Sequence, residues 1–305
     1  MEKCVIWGAG GDYEQLLNQI LFEIYKGNIE VEALVCRKED KYCMSRDGFP
    51  VIIKEELRYI EYDWIIVTSS KYYKEIRQEA KCLNINETRV IDGEVLKIPL
   101  FDFKRYIELI VNPITILSDD CWGGYVYHYL KLPFSSPLIN IYWEKEEYYK
   151  FIKEPLFYLQ TELTMVQDGD FHKGRAPVGE LGDDERKVRM QLLHNTCFTE
   201  AKEQWDRRRQ RINIDNIFIK FGFDCQDQNY KAYLSEMEKI RYKKISFFIN
   251  EGKDNNSFKT ERFEWNERKQ SRVDSYHYYD YMRANYMFSL DILKLLTGTE
   301  YSREG

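Results

Sequence analysis

Ile114-Thr115-Ile116-Leu117-Ser118-Asp119-Asp120-Cys121-Trp122-Gly123-Gly124-Tyr125 is the stretch on which the reading of this chain turns. Its β-branched apolar start predicts a buried strand, the acids and the glycine pair break that strand, and Tyr125–Lys131 can continue as a helix. A strand that empties through glycines into a helix is the repeating unit of α/β proteins. It leaves free N–H groups at the helix start, where an anionic ligand can be held. Asp119 and Asp120 are therefore candidate bases or metal ligands, and Cys121 is either a nucleophile or a small buried residue. Cys121, Trp122, Gly123 and Gly124 are candidate substrate contacts. The same residues also admit a purely structural reading, in which one Asp caps the helix and Trp122 packs beneath it.

Upstream, the alternation of short apolar runs and amphipathic segments continues. Lys3–Trp7 reads as a strand, Gly8-Ala9-Gly10-Gly11 as a turn, and Tyr13–Lys26 as a helix whose apolar face is Leu16, Leu17, Ile20, Leu21 and Ile24. Strands are expected at Glu30–Cys36, after the turn at Gly48, at Asp63–Thr68 and at Arg89–Ile91, with helices at Lys54–Ile60 and Tyr72–Leu83. This pattern predicts a parallel sheet with helices on both faces. Gly8, Gly10 and Gly11 are candidate cofactor contacts. They make only half of a dinucleotide fingerprint, because Tyr13 stands where the third glycine belongs and Cys36-Arg37-Lys38 offers no carboxylate to a ribose. NAD-dependent hydride transfer ranks low on that ground, and a nucleotide or nucleotide sugar ranks above it.

Downstream, Phe101–Val111 reads as a linking helix and Pro113 as a border. Strands are expected at Leu138–Tyr142, Thr161–Val166, Val188–Leu192, Asn216–Phe221 and Lys244–Ile249, and helices at Lys145–Lys153, Thr199–Arg211, Gln228–Ile240 and Tyr281–Leu296. Asp168–Arg186 is polar and glycine-rich, and Asn250–Asn256 reads as a loop. The expected fold class is thus α/β with two α/β domains. The first (1–100) is a Rossmann-like parallel sheet, 101–113 is a linking helix, and the second (114–305) is a mixed or parallel sheet flanked by helices that carries the site.

His128 falls in the helix after the glycine pair, and His194 follows the strand Val188–Leu192. Both are candidate acid–base partners of the aspartates, although a lone His is also a common hydrogen-bonded structural residue. Trp205-Asp206-Arg207-Arg208-Arg209-Gln210-Arg211 is a basic run near a helix end. Cations favour that position, but guanidinium forks also match phosphate oxygens, so Trp205, Arg207, Arg208 and Arg211 are candidate substrate contacts.

Bulk composition bounds the function classes. The 305 residues suit about two domains. A net charge of −6, with bases and acids interspersed, argues against a nucleic-acid footprint. Seven scattered cysteines without a C-x-x-C suit a reduced, cytoplasmic setting. No apolar run approaches the ~20 residues of a membrane span, and the first residues enter a strand without a signal-peptide core.

Two resemblances sharpen this. Val5–Gly11, the Gly48–Val51 turn and Asp63–Ser69 resemble the Rossmann-like N-terminal domains of nucleotide-sugar-modifying enzymes such as bacterial sugar O-acyltransferases, in which the glycine turn receives a nucleotide diphosphate. Residues 114–296 are similar to a bacterial family of unknown activity labelled as exopolysaccharide-biosynthesis proteins. Ser118–Tyr129, Leu132–Asn140, Pro177–Leu181, and Leu193–Ala201 through Trp205–Asn213 to Asn216 carry the match, with Asn195 where that family has Tyr. The family label implies a setting among surface-polysaccharide genes, and the leading expectation is a transferase in that assembly, associated with other assembly enzymes and acting on a sugar, nucleotide-sugar or other phosphate-bearing ligand. A non-catalytic nucleotide-sugar or glycan-binding module is the alternative, and an NAD(P)-dependent oxidoreductase is a weaker one.

Overall fold

The computed structural model describes residues 1–38, 44–170, 174–224, 227–249, 260–263 and 291–298. Two compact units divide the chain, Met1–Val111 with Asp291–Thr297 and Asn112–Leu290 with Gly298–Gly305. The α/β architecture expected from the alternating pattern is present in both.

In the first unit, β1 (Glu2–Trp7), β2 (Ile29–Cys36), β3 (Ser45–Arg46), β4 (Phe49–Ile53), β5 (Trp64–Val67) and β6 (Val90–Asp92) form one sheet of order β3-β4-β2-β1-β5-β6. Every pairing is parallel except β3 with β4. Both faces are buried, which explains why these strands read as continuous apolar runs. Val5, Val35, Ile65 and Val90 cluster with Ala80 of α2 (Tyr73–Cys82) on one face, while Cys4, Ile6 and Ile66 are fully buried on the other. The chain leaves β1 through α1 (Gly11–Tyr25) to β2 and later returns to β5 on the opposite side of β1. The strand order therefore reverses at β1, and its carboxyl end is the crevice where open parallel sheets collect ligands.

The expected linking helix, α3 (Phe103–Val111), lies inside this unit. Buried Glu23 ties the end of α1 to it, accepting from the Phe103 N–H (3.0 Å), Asn28 Nδ2 (2.7 Å) and Lys26 Nζ (3.1 Å). The described end of the expected tail helix, Ile292–Thr297, packs on α3 in the same unit, with the Arg105 guanidinium donating to Thr297 Oγ1 at 2.9 Å. Residues 281–290 and the loop expected at 250–256 lie outside the described residues.

The second unit holds two sheets. The strands β7 (Thr115–Ser118), β11 (Ile217–Asp224), β12 (Lys243–Ile249) and β13 (Thr260–Phe263) are all parallel, in the order β13-β12-β11-β7. A separate antiparallel meander is built from β8 (Thr164–Gln167), β9 (Val178–Gly182) and β10 (Lys187–Gln191). In β10, Val188 and Met190 are buried while Lys187, Arg189 and Gln191 are exposed, as its alternation predicts. Strand β9 falls within the polar, glycine-rich stretch for which no strand is expected, because two glycines and a glutamate dilute its apolar signal. Leu138–Tyr142, expected as a strand, makes only an isolated bridge from Tyr142 to Gln191. One core joins both sheets to the helices α5 (Lys145–Lys153), α6 (Pro155–Gln160) and α7 (Phe198–Arg209), through residues such as Trp143, Phe151, Leu159, Met190 and Phe221.

Candidate functional site

The opening strand β7 ends at Ser118 and delivers Asp119 into the interior, where it is 2 % exposed. Its neighbour β11 carries Lys220 inside the apolar run Ile217–Phe221; this lysine pairs in register with Ser118 and is 1 % exposed. The ammonium of Lys220 donates to Asp119 Oδ1 at 2.8 Å and to Asp120 Oδ2 at 2.6 Å. Asp119 Oδ2 accepts from Lys145 Nζ at 2.6 Å and from the Gly222 N–H at 3.0 Å. A Cβ at position 222 would stand 3.2 Å from both Asp119 Oδ2 and Lys145 Nζ, so a side chain there would crowd the ion pair. Two acids and two lysines thus form a charge-balanced network at the carboxyl side of β7 and across β11.

Helix α5 positions the outer lysine. The Tyr148 hydroxyl, three residues beyond Lys145, lies 2.7 Å from the Leu117 carbonyl and 3.0 Å from that of Lys220, and so pins the helix start to both strands. Lys145 keeps about a third of its side chain exposed and lies over the Phe221 ring at 5.4 Å. Burial alone would raise the Asp119 pKa, but Lys145 and Lys220 outweigh it and hold the carboxyl well below its ordinary value. Asp119 is therefore a fixed anion at neutral pH. The Trp143 N–H donates to the Asp119 carbonyl at 3.3 Å, which sets partly exposed Tyr142 next to the network, and burial with Glu144, Asp119 and Asp120 shifts its pKa upward.

Asp120 has two occupations. Oδ2 takes Lys220, while Oδ1 accepts from the Trp122 N–H (2.9 Å) at the start of α4 (Trp122–Tyr129) and from Ser118 Oγ (3.1 Å). It anchors the helix start, as the structural reading anticipates, and its side chain remains one-fifth exposed. Trp122 is buried, stacked on Phe218 at 6.2 Å, and Trp205 is buried in the core of the unit. Gly123 sits against Ile116 and Ser118 of β7, and Gly124 against Ile139. The Cys121 thiol is pushed up to about 11 by burial and by Asp120, so it is a thiol and not a thiolate at neutral pH.

The remaining candidates are more scattered. His128 is exposed in the last turn of α4. His194 is exposed in the turn beyond β10, in a left-handed conformation with φ of 62°. Among the described residues, neither imidazole hydrogen-bonds to Asp119 or Asp120. Arg208 is nearly buried, donates to the Ile139 carbonyl at 3.0 Å and lies over Phe134. Ile139 also meets Gly124, so Arg208 is one residue removed from the α4 start. Burial lowers its pKa, and so do Arg207 and Arg211, both exposed and close enough to be felt. Arg211 lies past the end of α7, and among the described residues none of these three arginines has a carboxylate partner. No group of three or more His, Cys, Asp or Glu side chains among the described residues is placed to hold a metal ion.

Lys145, Lys220, Tyr142 and Gly222 were not singled out from the sequence. Lys220 had a signal: a lone lysine inside the apolar run Ile217-Phe218-Ile219-Lys220-Phe221 costs too much to bury unpaired.

In the first unit, a cleft of about 880 Å³ opens at the carboxyl ends of β1, β2 and β5. Gly8, Gly10 and Gly11 line it. Gly8 has φ of 113°, and a Cβ there would fall 2.3 Å from Thr68 Oγ1, so only glycine turns the chain this tightly. At Gly10 and Gly11 a Cβ would meet open space, and the N-cap of α1 has no side-chain hydrogen bond. Tyr13, in place of the third glycine, is buried beneath the Arg46 guanidinium. No described helix in either unit is long and apolar enough to cross a membrane.

Comparison with known proteins follows this division only in part. A C2185-like N-terminal domain matches residues 1–91, and a domain of unknown function, DUF1919, matches residues 92–297. The second match includes α3 and Ile292–Thr297 of the first compact unit. An uncharacterised protein of Haemophilus influenzae is 31% identical over 137 residues, which is 44% of this chain and 63% of that protein's length. With about two thirds of its length matched, the chain belongs to the DUF1919 family.

Proposed function

We propose that this protein is a transferase of cell-surface polysaccharide biosynthesis, acting on a nucleotide-sugar or other phosphate-bearing substrate at the Asp119–Lys220–Asp120–Lys145 network. That network carries the reading. Apolar residues of similar volume would hold a core at least as well as buried ion pairs, whereas a ligand site needs fixed charges at the carboxyl side of a parallel sheet. In this reading Asp119, held anionic, orients Lys145, whose exposed ammonium meets a phosphate oxygen. Asp120 faces the acceptor as hydrogen-bond acceptor or base. Arg208, with Arg207 and Arg211, holds a second anionic group, and His128 or His194 supplies a proton only if the ligand brings it inward. The first unit, read as Rossmann-like, binds a nucleotide or nucleotide sugar on the Gly8–Gly11 turn, and association with polysaccharide-assembly enzymes follows from the same resemblance.

The test is incubation of the purified protein with a panel of nucleotide sugars and cell-derived glycan acceptors, read by nucleotide release. Lys145→Ala should lower turnover at least tenfold with its fold intact. A specific observation favours the non-catalytic alternative: both oxygens of Asp119 are engaged, and among the described residues no imidazole hydrogen-bonds to either carboxylate. Ligand-induced thermal stabilisation without release of any nucleotide across the panel would decide for that binding module.

A further inference from the structure

The end of β2 carries an unexpected charge. In a mononucleotide-binding sheet this strand tip meets the ribose, and recognition of a free diol there calls for a carboxylate that accepts both hydroxyls. Here the strand ends at Cys36 and is followed by Arg37 and Lys38, both exposed and both lining the 880 Å³ cleft. Among the described residues neither is ion-paired. Arg37 lies 5.8 Å from the Tyr72 ring on the same cleft wall. The third cation of the wall, Lys54, is already tied to Glu79 at 2.6 Å. The other lining acids are Asp12, Glu55 and Glu75, so the cleft is not basic as a whole and its uncommitted cations gather at the tip of β2.

We propose that this cleft takes a nucleoside diphosphate bearing a phosphomonoester on its ribose, with Arg37 and Lys38 as the anion-holding pair. The proposal rests on the nucleotide reading of the first unit and adds the ribose phosphate to it. The diphosphate lies over the open backbone of Gly10 and Gly11 at the start of α1, and the extra phosphate fills the place of a ribose carboxylate. A guanidinium fork and an ammonium suit a doubly charged phosphomonoester better than a neutral diol. Among the described residues the tip of β2 presents these two cations and no carboxylate, which favours a phosphorylated ribose over a free diol.

The experiment is calorimetric titration of the full chain with adenosine 5′-diphosphate, its 2′-phosphate and its 3′-phosphate. One phosphorylated form should bind at least tenfold tighter than the plain diphosphate. Arg37→Ala/Lys38→Ala should abolish that gain while changing affinity for the diphosphate less than twofold. Both positions are exposed, so the fold should survive, as circular dichroism can verify. Preference for the 2′ isomer identifies a nicotinamide-dinucleotide-type ligand, and preference for the 3′ isomer an acyl carrier of the coenzyme A type. Equal binding of all three probes, or a gain that persists in the double variant, overturns the ribose-phosphate assignment and leaves the nucleotide reading standing. Failure of every probe to bind overturns both.

Discussion

Lys220→Met separates a built charge network from an incidental polar cluster. Methionine matches the length of the lysine stem, so the change removes charge with little loss of volume. The side chain is buried and meets two carboxylates, of which that of Asp119 is equally buried. Removing one partner of a buried ion pair costs roughly 3–5 kcal/mol. The lower end applies, because Asp119 keeps Lys145 and the Gly222 N–H, and Asp120 is partly solvated. A loss of about 3 kcal/mol in a unit of this size lowers its melting temperature by about 6–12 °C. Hydrogen exchange of peptides covering 115–124 and 217–224 assigns that loss to the second unit. Adding Asp119→Asn should recover part of it, with a coupling of about 1–3 kcal/mol.

The pH dependence has a definite sign. The folded pKa of Asp119 lies below its unfolded value of about 3.9. Its pairing therefore contributes fully above that value and is lost as pH falls through the folded pKa. The difference between wild type and Lys220→Met should be largest above about pH 5 and shrink as the carboxylates protonate. A cost below about 1 kcal/mol, or a difference unchanged between pH 7 and pH 3, would refute the claim that Lys220 neutralises these acids.

Three further outcomes follow from single contacts. Asp120→Asn keeps the acceptor for the Trp122 N–H but loses the ion pair to Lys220, so it should cost about 1–3 kcal/mol in urea titration, whereas a pure cap would lose almost nothing. Cys121 should resist iodoacetamide at pH 8 and label faster as pH rises toward 11, by peptide mass spectrometry; rapid labelling at pH 7 would contradict its raised pKa. Glu23→Ala strands the Phe103 N–H and the Asn28 amide at the junction of α1 and α3, and should destabilise the first unit by about 2–3 kcal/mol; a neutral result in thermal melts would show that water replaces the carboxylate.

Local rules were legible in the linear chain. Alternation and apolar runs located β1, β5, β7 and β10, the helix Lys145–Lys153 matched its expected bounds, and the strand–glycine–helix punctuation pointed to both Gly8–Gly11 and Asp119–Gly124. These signals are short-range: side-chain periodicity and turn chemistry are set within a few residues. The same rules missed β9, whose pairing on both sides compensates for glycines that weaken it locally. Tertiary structure alone decided the partners of Asp119. Lys145 is 26 residues away and Lys220 is 101, so no local pattern could join them. It also moved Trp122 and Trp205 from ligand contact to core, left His128 and His194 on the surface, and singled out Arg208 as the buried member of the arginine run. Residue type states what a side chain can do; which charges neutralise one another depends on strand order and burial, and those belong to the assembled fold.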